Sequence, residues 1–480
     1  MKNHYSCSAF GFRAGLIVAG TLLLAACAPG QDNPTPATTI NVTRYVAVGD
    51  SYTAGVSAGG LTRASQSYSF PNLLAQQLSR AAASVTFSQP LLEEGSGSGY
   101  LTFIDFVPGT DLPRVRRVAG QSVLRTYANS SSCASPDTMV LARSTTSATL
   151  PQNLGVAGLA LGQLEVTGLG NAANAIPGAP FNPYFERLLP AADNRTYLQA
   201  VTTASSSATF FTFFMGLDDL MPFIKSGGTC GTPPTTSFVN QMKRNARKVL
   251  DVLTAGGRPG IIAKLPDATS LPLLRLGAGT VLEAQLQTRF GDQNLLYIED
   301  NGGTVRQISP KDYVLATALP RIGLLTRVQV GSTSLMLPYG RDIRNPIVNA
   351  DVLDETTEMN LLNAAISSYN NFDNPSSSSV LPGLNALAKL YNMPVLTSST
   401  GERTLNLNDL LFNSLADGTS NSGVVYNLLP VRGNFFSLDY YSLTPRGNAQ
   451  LANAFIGAIN RGYRANIPGI DANSLPPTAQ

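Results

Sequence analysis

The stretch YVAVGDSYTAG, residues 45–55, decides how this chain is predicted to fold. A run of apolar and β-branched residues ends in Gly49, Asp50 and Ser51, and small residues follow. A short apolar run bounded by turn residues is typical of a buried strand. Such a strand delivers the next residues to the edge of a sheet, so Ser51 is a candidate nucleophile. Asp50 is either part of the same site or an ordinary turn residue.

Apolar periodicity along the rest of the chain alternates between buried strands and amphipathic helices. ATFFTFFMG (208–216) is apolar on both faces, like a central strand of a covered parallel sheet. GIIAKLPDATS (260–270) predicts another strand and a turn. Helices are predicted within residues 69–82, 237–257, 353–371, 384–399 (followed by a strand) and 444–460. Strands that alternate with helices indicate an α/β domain with a parallel sheet.

Two long regions, about 84–152 and 271–346, lack this periodicity. The second contains LLYIEDNGGTVRQI (295–308), which predicts two short strands around an Asn-Gly-Gly turn. Long excursions within one domain usually form the walls or lids of binding sites. We expect that role for both regions.

Composition argues against several kinds of site. Charged residues make up 13% of the chain, against about 25% in typical globular domains, and the formal net charge is +3. No basic cluster with interleaved aromatic residues is present, so no nucleic-acid partner is predicted. GxGxxG and Walker motifs are also missing from the sequence. Once the N-terminal segment described below is removed and Cys27 is lipidated, two cysteines and no histidine remain, which makes a zinc site improbable, so neither metal nor cofactor is expected.

The N-terminal segment has the features of a signal peptide. Lys2 and Arg13 are the only charges in residues 1–26, and AGLIVAGTLLLAA is too short an apolar core for a spanning helix. LAAC, residues 24–27, resembles the lipobox of bacterial lipoproteins, which implies cleavage before Cys27 and lipidation of that cysteine. The alternative is an ordinary secretory signal. Residues 27–43 are then a polar, flexible tether.

Lipidation of Cys27 implies that the protein is anchored to a membrane of the bacterial cell envelope. Ala28 stands where many inner-membrane lipoproteins carry an aspartate, which favours the outer membrane. Cleavage removes His4 and Cys7, so the mature chain contains no histidine. Apart from the lipidated Cys27, only Cys133 and Cys230 remain, and an oxidising envelope permits a disulfide between Cys133 and Cys230. The sequence leaves paired and free cysteines equally open.

Four segments together resemble the GDSL/SGNH hydrolases, a family of serine esterases and acyl hydrolases. GDSYTAG resembles the family's first block, and the others follow in the family's order: NLGVAG (153–158), FFMGLDDLMP (213–222) and LDYYSLTPRGNAQLAN (438–453). The resemblance implies a flavodoxin-like three-layer α/β/α fold over residues 44–465, with insertions at about 84–152 and 271–346. Residues 466–480 are then a C-terminal tail. The family uses no cofactor.

The resemblance also implies roles for single residues. Ser51 corresponds to the nucleophile, Gly158 to a glycine that lends its backbone N–H to the oxyanion hole, and Asp439 to the acid of the triad. Two positions depart from the family. Asp218 stands where the family has an oxyanion-hole asparagine, and Ser442 stands where it has the histidine base.

Both departures impair the same mechanism. A base must take the proton of Ser51 at neutral pH and return it later, which the hydroxyl of Ser442 cannot do. The carboxylate of Asp218 only accepts hydrogen bonds, unless burial keeps it protonated. Alternatively, Asp218 is a weak base for Ser51, with an ordinary pKa near ~3.9.

Three hypotheses about function therefore remain open. The protein is an envelope ester hydrolase that uses Ser51 by an atypical route, or a non-catalytic lipoprotein that binds an acylated glycan, lipid or peptide. In the third, it is a structural envelope protein in which Ser51 only ends a strand. Membrane attachment through the lipid anchor is common to all three.

Overall fold

The computed structural model describes residues 40–82, 84–121, 123–126, 138–140, 149–176, 179–290, 296–371, 384, 419–421 and 423–479. Several predicted features lie outside these residues: the signal segment 1–26, Cys27, residues 28–39 of the tether, Cys133, and residues 385–399.

Strands occur throughout the described residues. They are β1 (Tyr45–Gly49), β2 (Tyr100–Phe106), β3 (Pro113–Val118), β4 (Val123–Thr126), β5 (Thr138–Val140), β6 (Asn153–Gly155), β7 (Phe210–Phe214), β8 (Gly260–Ile262), β9 (Tyr297–Glu299), β10 (Val305–Gln307), β11 (Tyr313–Val314), β12 (Leu325–Val330), β13 (Thr333–Pro338), β14 (Val352–Leu353), β15 (Thr419–Asn421) and β16 (Val424–Tyr426).

Helices separate many of these strands. They are α1 (Ser51–Ala54), α2 (Arg63–Ser67), α3 (Phe70–Ala81), α4 (Pro183–Glu186), α5 (Tyr197–Ser205), α6 (Leu217–Lys225), α7 (Thr236–Leu253), α8 (Pro272–Arg275), α9 (Gly279–Phe290), α10 (Asn360–Asn371) and α11 (Pro445–Tyr463).

A parallel four-stranded sheet lies at the centre, in the order β6-β1-β7-β8. Val48 of β1 is in register with Leu154 of β6 on one side and with Phe213 of β7 on the other. Every residue of β1 and β7 is buried, as expected for strands covered on both faces. The predicted α/β domain with a parallel sheet is therefore confirmed. Numbered by their sequence order within the sheet, the four strands lie in the order 2-1-3-4.

Aromatic side chains pack two helices onto one face of the sheet. Phe70 of α3 stacks on Phe455 of α11, with ring centroids 4.8 Å apart. Phe214 of β7 lies against Phe70, and Phe210 of the same strand lies against Tyr463 of α11. Side chains alternate along a strand, so Phe210 and Phe214 point to the same face.

The opposite face of the sheet receives Phe211 and Phe213, both fully buried. The connections through α5 and α7 cross the sheet in the opposite direction to the connection through α3. Parallel crossovers are right-handed, so α5 and α7 cover this second face. Tyr197 of α5 anchors the helix, because its hydroxyl donates to the carbonyl of Leu154 at 2.6 Å.

Two of the predicted helices begin with a side-chain cap. Thr444 caps α11 by accepting from the N–H of Gly447 at 3.0 Å. Asp354 accepts from the N–H of Thr357 at 2.9 Å, but a π-helical turn, Glu355–Met359, precedes α10. Residues beyond α11 pack back along it, since the side chain of Asn453 bonds both backbone groups of Ile470.

The two insertions contain more regular structure than the sequence predicts. Residues 84–152 include the antiparallel hairpin β2-β3, and residues 271–346 include α9 and the hairpin β12-β13. The two strands around the Asn-Gly-Gly turn are confirmed as β9 and β10. In the described parts of the chain, no helix combines the length and apolar character needed to cross a bilayer.

Candidate active site

Three of the predicted site residues lie at one edge of the central sheet. Ser51 opens α1 directly after β1, Gly158 follows β6, and Asp218 lies in the first turn of α6 after β7. These strands are parallel and adjacent, so their carboxyl ends meet at the same edge, where ligands of open α/β sheets bind. The site lies where the strand order reverses.

A single carboxylate oxygen organises these residues. Oδ2 of Asp218 accepts the hydroxyl of Ser51 at 2.5 Å and the backbone N–H of Ser51 at 3.0 Å. The same oxygen accepts the backbone N–H of Gly158 at 2.8 Å. The nitrogen of Gly158 is also 3.2 Å from Oγ of Ser51. The donors expected to face a substrate therefore converge on Asp218.

Gly158 owes its orientation to a backbone conformation that favours glycine. Its φ is +71°, in the left-handed region. A Cβ built at this position meets nothing within 4 Å, and the residue is exposed. The N–H thus faces Ser51 from the open side of the cleft.

Asp50 has a long-range role that the turn interpretation does not provide. Its Oδ2 accepts the N–H groups of Gly216, Leu217 and Asp218 at 3.1, 3.0 and 3.3 Å. These groups begin α6, whose N-cap residue Gly216 has no side chain to cap the helix. Asp50 therefore caps α6 from the end of β1.

Three carboxyl groups are buried around the start of α6. Burial raises the pKa of Asp50 well above its ordinary range, and the charge of Asp218 raises it further. Burial also raises the pKa of Asp218, while the hydrogen bond from Ser51 lowers it. Burial raises the pKa of Asp219 to about 7, against hydrogen bonds from the N–H of Leu161. Burial thus raises the pKa of all three carboxyls, while the N-terminus of α6 partly stabilises their charged forms.

The segment LDYYSLTPRGNAQLAN (438–453) contains a separate hydrogen-bonded group around Asp439. Oδ2 of Asp439 accepts the hydroxyl of Ser442 at 2.7 Å and the N–H of Gly59 at 2.8 Å. Oδ1 accepts the hydroxyl of Ser437 at 2.9 Å. Ser442 is fully buried, with its Oγ 2.6 Å from Oγ of Ser437. Between these described residues and Ser51 there is no hydrogen bond, so the structure leaves Ser442 outside the Ser51 group.

Contacts from α1 and the loop after it join the Ser51 group to the Asp439 group. The hydroxyl of Tyr52 donates to the carbonyl of Tyr441, and the hydroxyl of Ser57 donates to the carbonyl of Leu443 at 2.9 Å. Lys225, at the end of α6, places its ammonium 3.9 Å from the ring centre of Tyr441. A cavity of about 640 Å³ opens beside Asp439 and Lys225.

Sequence reasoning missed Lys225 and Asp219. Asp219 lies within FFMGLDDLMP (213–222), next to Asp218, so its place in that segment could have marked it as a candidate site residue. Lys225 is an ordinary cation in the last turn of a helix, and nothing in the local pattern distinguishes it. Its relation to Tyr441, far along the chain, arises only in the folded protein.

The chemistry open to Ser51 follows from its neighbours. The only histidine of the chain is His4, and the hydroxyl of Ser51 donates its hydrogen bond to Asp218 instead of to a histidine. Among the described residues, no group of three or more histidine, cysteine, aspartate or glutamate side chains is arranged to hold a metal. Cys230 is disulfide-bonded. Its predicted partner, Cys133, lies outside the described residues, so this pairing stays a prediction.

The capping role of Asp50 predicts a specific loss of stability. Asp50→Ala leaves three N–H groups of α6 without their acceptor and should lower the free energy of unfolding by about 1–3 kcal/mol. Asp50→Asn keeps an acceptor oxygen and should lose much less. Urea denaturation measures both, and Glu93→Ala, at an exposed residue, is the control. Equal stability of Asp50→Ala and Asp50→Asn would contradict the cap.

The raised pKa of Asp219 predicts how stability depends on pH. The group titrates at about 7 in the folded protein, against an ordinary value of 3.8. Between these values the folded state binds more protons, so the stabilisation is complete below the ordinary value and is lost as the pH rises through 7. Asp219→Asn removes this titration, while its amide oxygen still accepts from Leu161.

We therefore expect the melting temperature of Asp219→Asn, relative to the parent, to rise from about pH 5 to about pH 8. Circular dichroism measures it. Glu93→Gln, which changes an exposed carboxyl, should show no such trend. A constant difference between Asp219→Asn and the parent would show that Asp219 does not titrate in this range.

Comparison of the chain with protein-family models, with curated proteins and with solved structures found no match. The likeness to GDSL/SGNH hydrolases therefore rests on the four sequence blocks alone. Any function has to be argued from the residues at the sheet edge and the cavity beside them.

Proposed function

We propose that this protein is a GDSL/SGNH hydrolase-like lipoprotein of the bacterial cell envelope with a binding role: it holds an acylated ligand at the Ser51 cleft and does not hydrolyse esters at ordinary enzyme rates. The fold part of the proposal is a flavodoxin-like three-layer arrangement. It is supported by the strand order 2-1-3-4, which begins the flavodoxin-like order, and by the site at the reversal of that order.

One observation carries the proposal: Oδ2 of Asp218 accepts the N–H of Ser51, the hydroxyl of Ser51 and the N–H of Gly158. In a serine hydrolase, backbone N–H groups in these places stabilise the oxyanion of the tetrahedral intermediate. Here a carboxylate oxygen occupies that place. A substrate oxyanion would have to displace it, and an ionised Asp218 would repel the developing charge.

The position of Ser442 supports the same conclusion. Its hydroxyl donates to Asp439, as the ring N–H of a triad histidine does, but it has no basic nitrogen to offer Ser51. In a serine protease, loss of the histidine lowers kcat by about 10⁶ and leaves roughly 10³–10⁴ over water. Two defects in one mechanism favour binding over turnover.

A second candidate function is ester hydrolysis by a Ser51–Asp218 pair. The 2.5 Å hydrogen bond favours it because it places Asp218 within reach of the proton of Ser51, and burial favours it because a raised pKa makes Asp218 a stronger base than an ordinary aspartate. The geometry of the site opposes hydrolysis by this pair. The oxygen that would take the proton is the one that occupies the place of the oxyanion.

Fluorophosphonate labelling tests the proposal, because the probe reacts with an activated serine beside a functional oxyanion hole. We expect no labelling of Ser51 in the parent protein. The variant Asp218→Asn/Ser442→His/Ser437→Ala should react, because it supplies a donor, a base and room for the ring. A single oxyanion-hole donor contributes about 10²–10³ in kcat. Mass spectrometry locates the label, and adding Ser51→Ala to the triple variant should abolish it.

Two outcomes would contradict the proposal. Labelling of Ser51 in the parent that is lost in Asp218→Asn would identify Asp218 as the base and the protein as a hydrolase. A correctly folded triple variant that does not react would show that the hydrolase-like interpretation of this cleft is wrong.

Membrane attachment is tested separately. Expression with a labelled fatty acid should mark the mature protein, because a lipobox directs acylation of Cys27. Cys27→Ser should abolish the label, whereas Cys7→Ser should still allow it. Label that persists in Cys27→Ser would exclude this cysteine as the anchor.

A further inference from the structure

The cavity beside Asp439 is mainly apolar. It has a volume of about 640 Å³, within the roughly 300–1,000 Å³ typical of small-molecule sites. Leu101, Ile104 and Val115 of the hairpin β2-β3 form one wall, and Leu273 of α8 contributes to another. The two insertions thus meet around this cavity, as the sequence predicts for long excursions.

Two further cavities continue from the first. One of about 390 Å³ shares Pro320 with it, and one of about 870 Å³ shares Leu112 and Leu319 with the second. All three border the hairpin β2-β3 or the turn that connects its strands. Shared wall residues therefore place the three cavities next to one another in a row along the two insertions.

Lys225 is the cation best placed to meet a ligand in this row. Its ammonium lies over the ring of Tyr441, and none of the ion pairs between described residues includes it. Arg114, on the same cavity, is already paired with Asp105. The side chain of Lys225 is reachable by solvent although protein surrounds it on most sides, and desolvation lowers its pKa.

The carboxylates near Lys225 have donors of their own. Asp439 accepts from Gly59, Ser437 and Ser442, and Asp218 accepts from Ser51 and Gly158. Their charges raise the pKa of Lys225 without forming an ion pair with it. An anionic group entering the cavity would therefore find a cation with donor capacity left.

We propose that this row of cavities binds a fatty acid, with its carboxylate at Lys225 and its acyl chain between the two insertions. This inference rests on the proposed binding function and specifies a free fatty acid as the ligand of the cavity beside Asp439, whose lining does not include Ser51. The walls of the cavity beside Asp439 are mainly apolar, with polar side chains grouped near Lys225 and Asp439, which favours an acyl chain with one polar end over a glycan. A neutral ester would leave Lys225 without an anion.

Displacement of cis-parinaric acid, a fluorescent fatty acid, from the full chain tests the proposal. Octanoate, dodecanoate and hexadecanoate should bind with increasing affinity, by about two- to fourfold for each added methylene until the cavities are filled. Lys225→Met should weaken dodecanoate about tenfold, as expected for a lost charge-assisted hydrogen bond, and leave dodecanol within about twofold. Lys248→Met, at a cation paired with Glu165, should change neither.

A cavity-filling variant provides the second arm. Leu101→Trp should weaken dodecanoate and dodecanol alike, because the indole occupies space that the chain needs. Leu325→Trp, at a residue that is 64% exposed, is the matched control and should weaken neither. Melting temperatures confirm that each variant is folded.

Three results would overturn the inference: no displacement by any fatty acid, affinity independent of chain length, or equal loss of acid and alcohol in Lys225→Met. These failures differ from failure of the proposed function. A parent protein labelled at Ser51 by fluorophosphonate would be a hydrolase, whether or not Lys225 recognises a carboxylate.

Discussion

The hydrogen bonds that the N–H groups at the start of α6 donate to Asp50 are the constraint on which the site depends. They join the end of β1 to the helix that follows β7, so the two strands deliver Ser51 and Asp218 to the same point. The backbone N–H groups at the start of a helix need acceptors, and Gly216 offers none of its own. The second oxygen of Asp50 is buried without a hydrogen-bond partner, which adds a desolvation penalty to this arrangement.

This constraint concentrates acidic groups where a hydrolase would receive negative charge. Asp50, Asp218 and Asp219 are buried together, and burial raises the pKa of each; the charge of Asp218 raises the pKa of Asp50 and of Asp219 further. An oxyanion beside a carboxyl held in this way is poorly stabilised, whereas the carboxyl itself is a stable acceptor for the donors of Ser51 and Gly158. The same geometry that orders the cleft therefore opposes the chemistry that its sequence blocks suggest.

The insertions complete the site from outside the sheet. The parallel sheet positions the ends of its strands, whereas the hairpin β2-β3 and the segment around α8 and α9 enclose the apolar cavities. Lys225 links the two parts, because it ends the helix that Asp50 caps and faces the cavity that the insertions enclose. A single short helix thus joins the proposed binding cavity to the capped end of the central sheet.

The sequence by itself determined the elements whose patterns are local. Apolar runs and capping residues predicted β1, β7, α3, α7 and α11, and the order of the blocks predicted that Ser51, Gly158 and Asp218 follow strands. The helix α9 was missed because its apolar residues do not form one face, and Lys225 was missed because no pattern marks it. Only the tertiary structure decided that Asp50 caps α6, that Asp218 takes the donors of Ser51 and Gly158, and that Ser442 turns to Asp439 and Ser437. The contacts of Ser442 are local along the chain, but a residue pattern alone does not fix the side-chain orientations that form them. The contacts of Asp50 and Asp218 join residues far apart along the chain, and a pattern that reports on neighbouring residues carries no information about which distant groups compete for the same hydrogen bond.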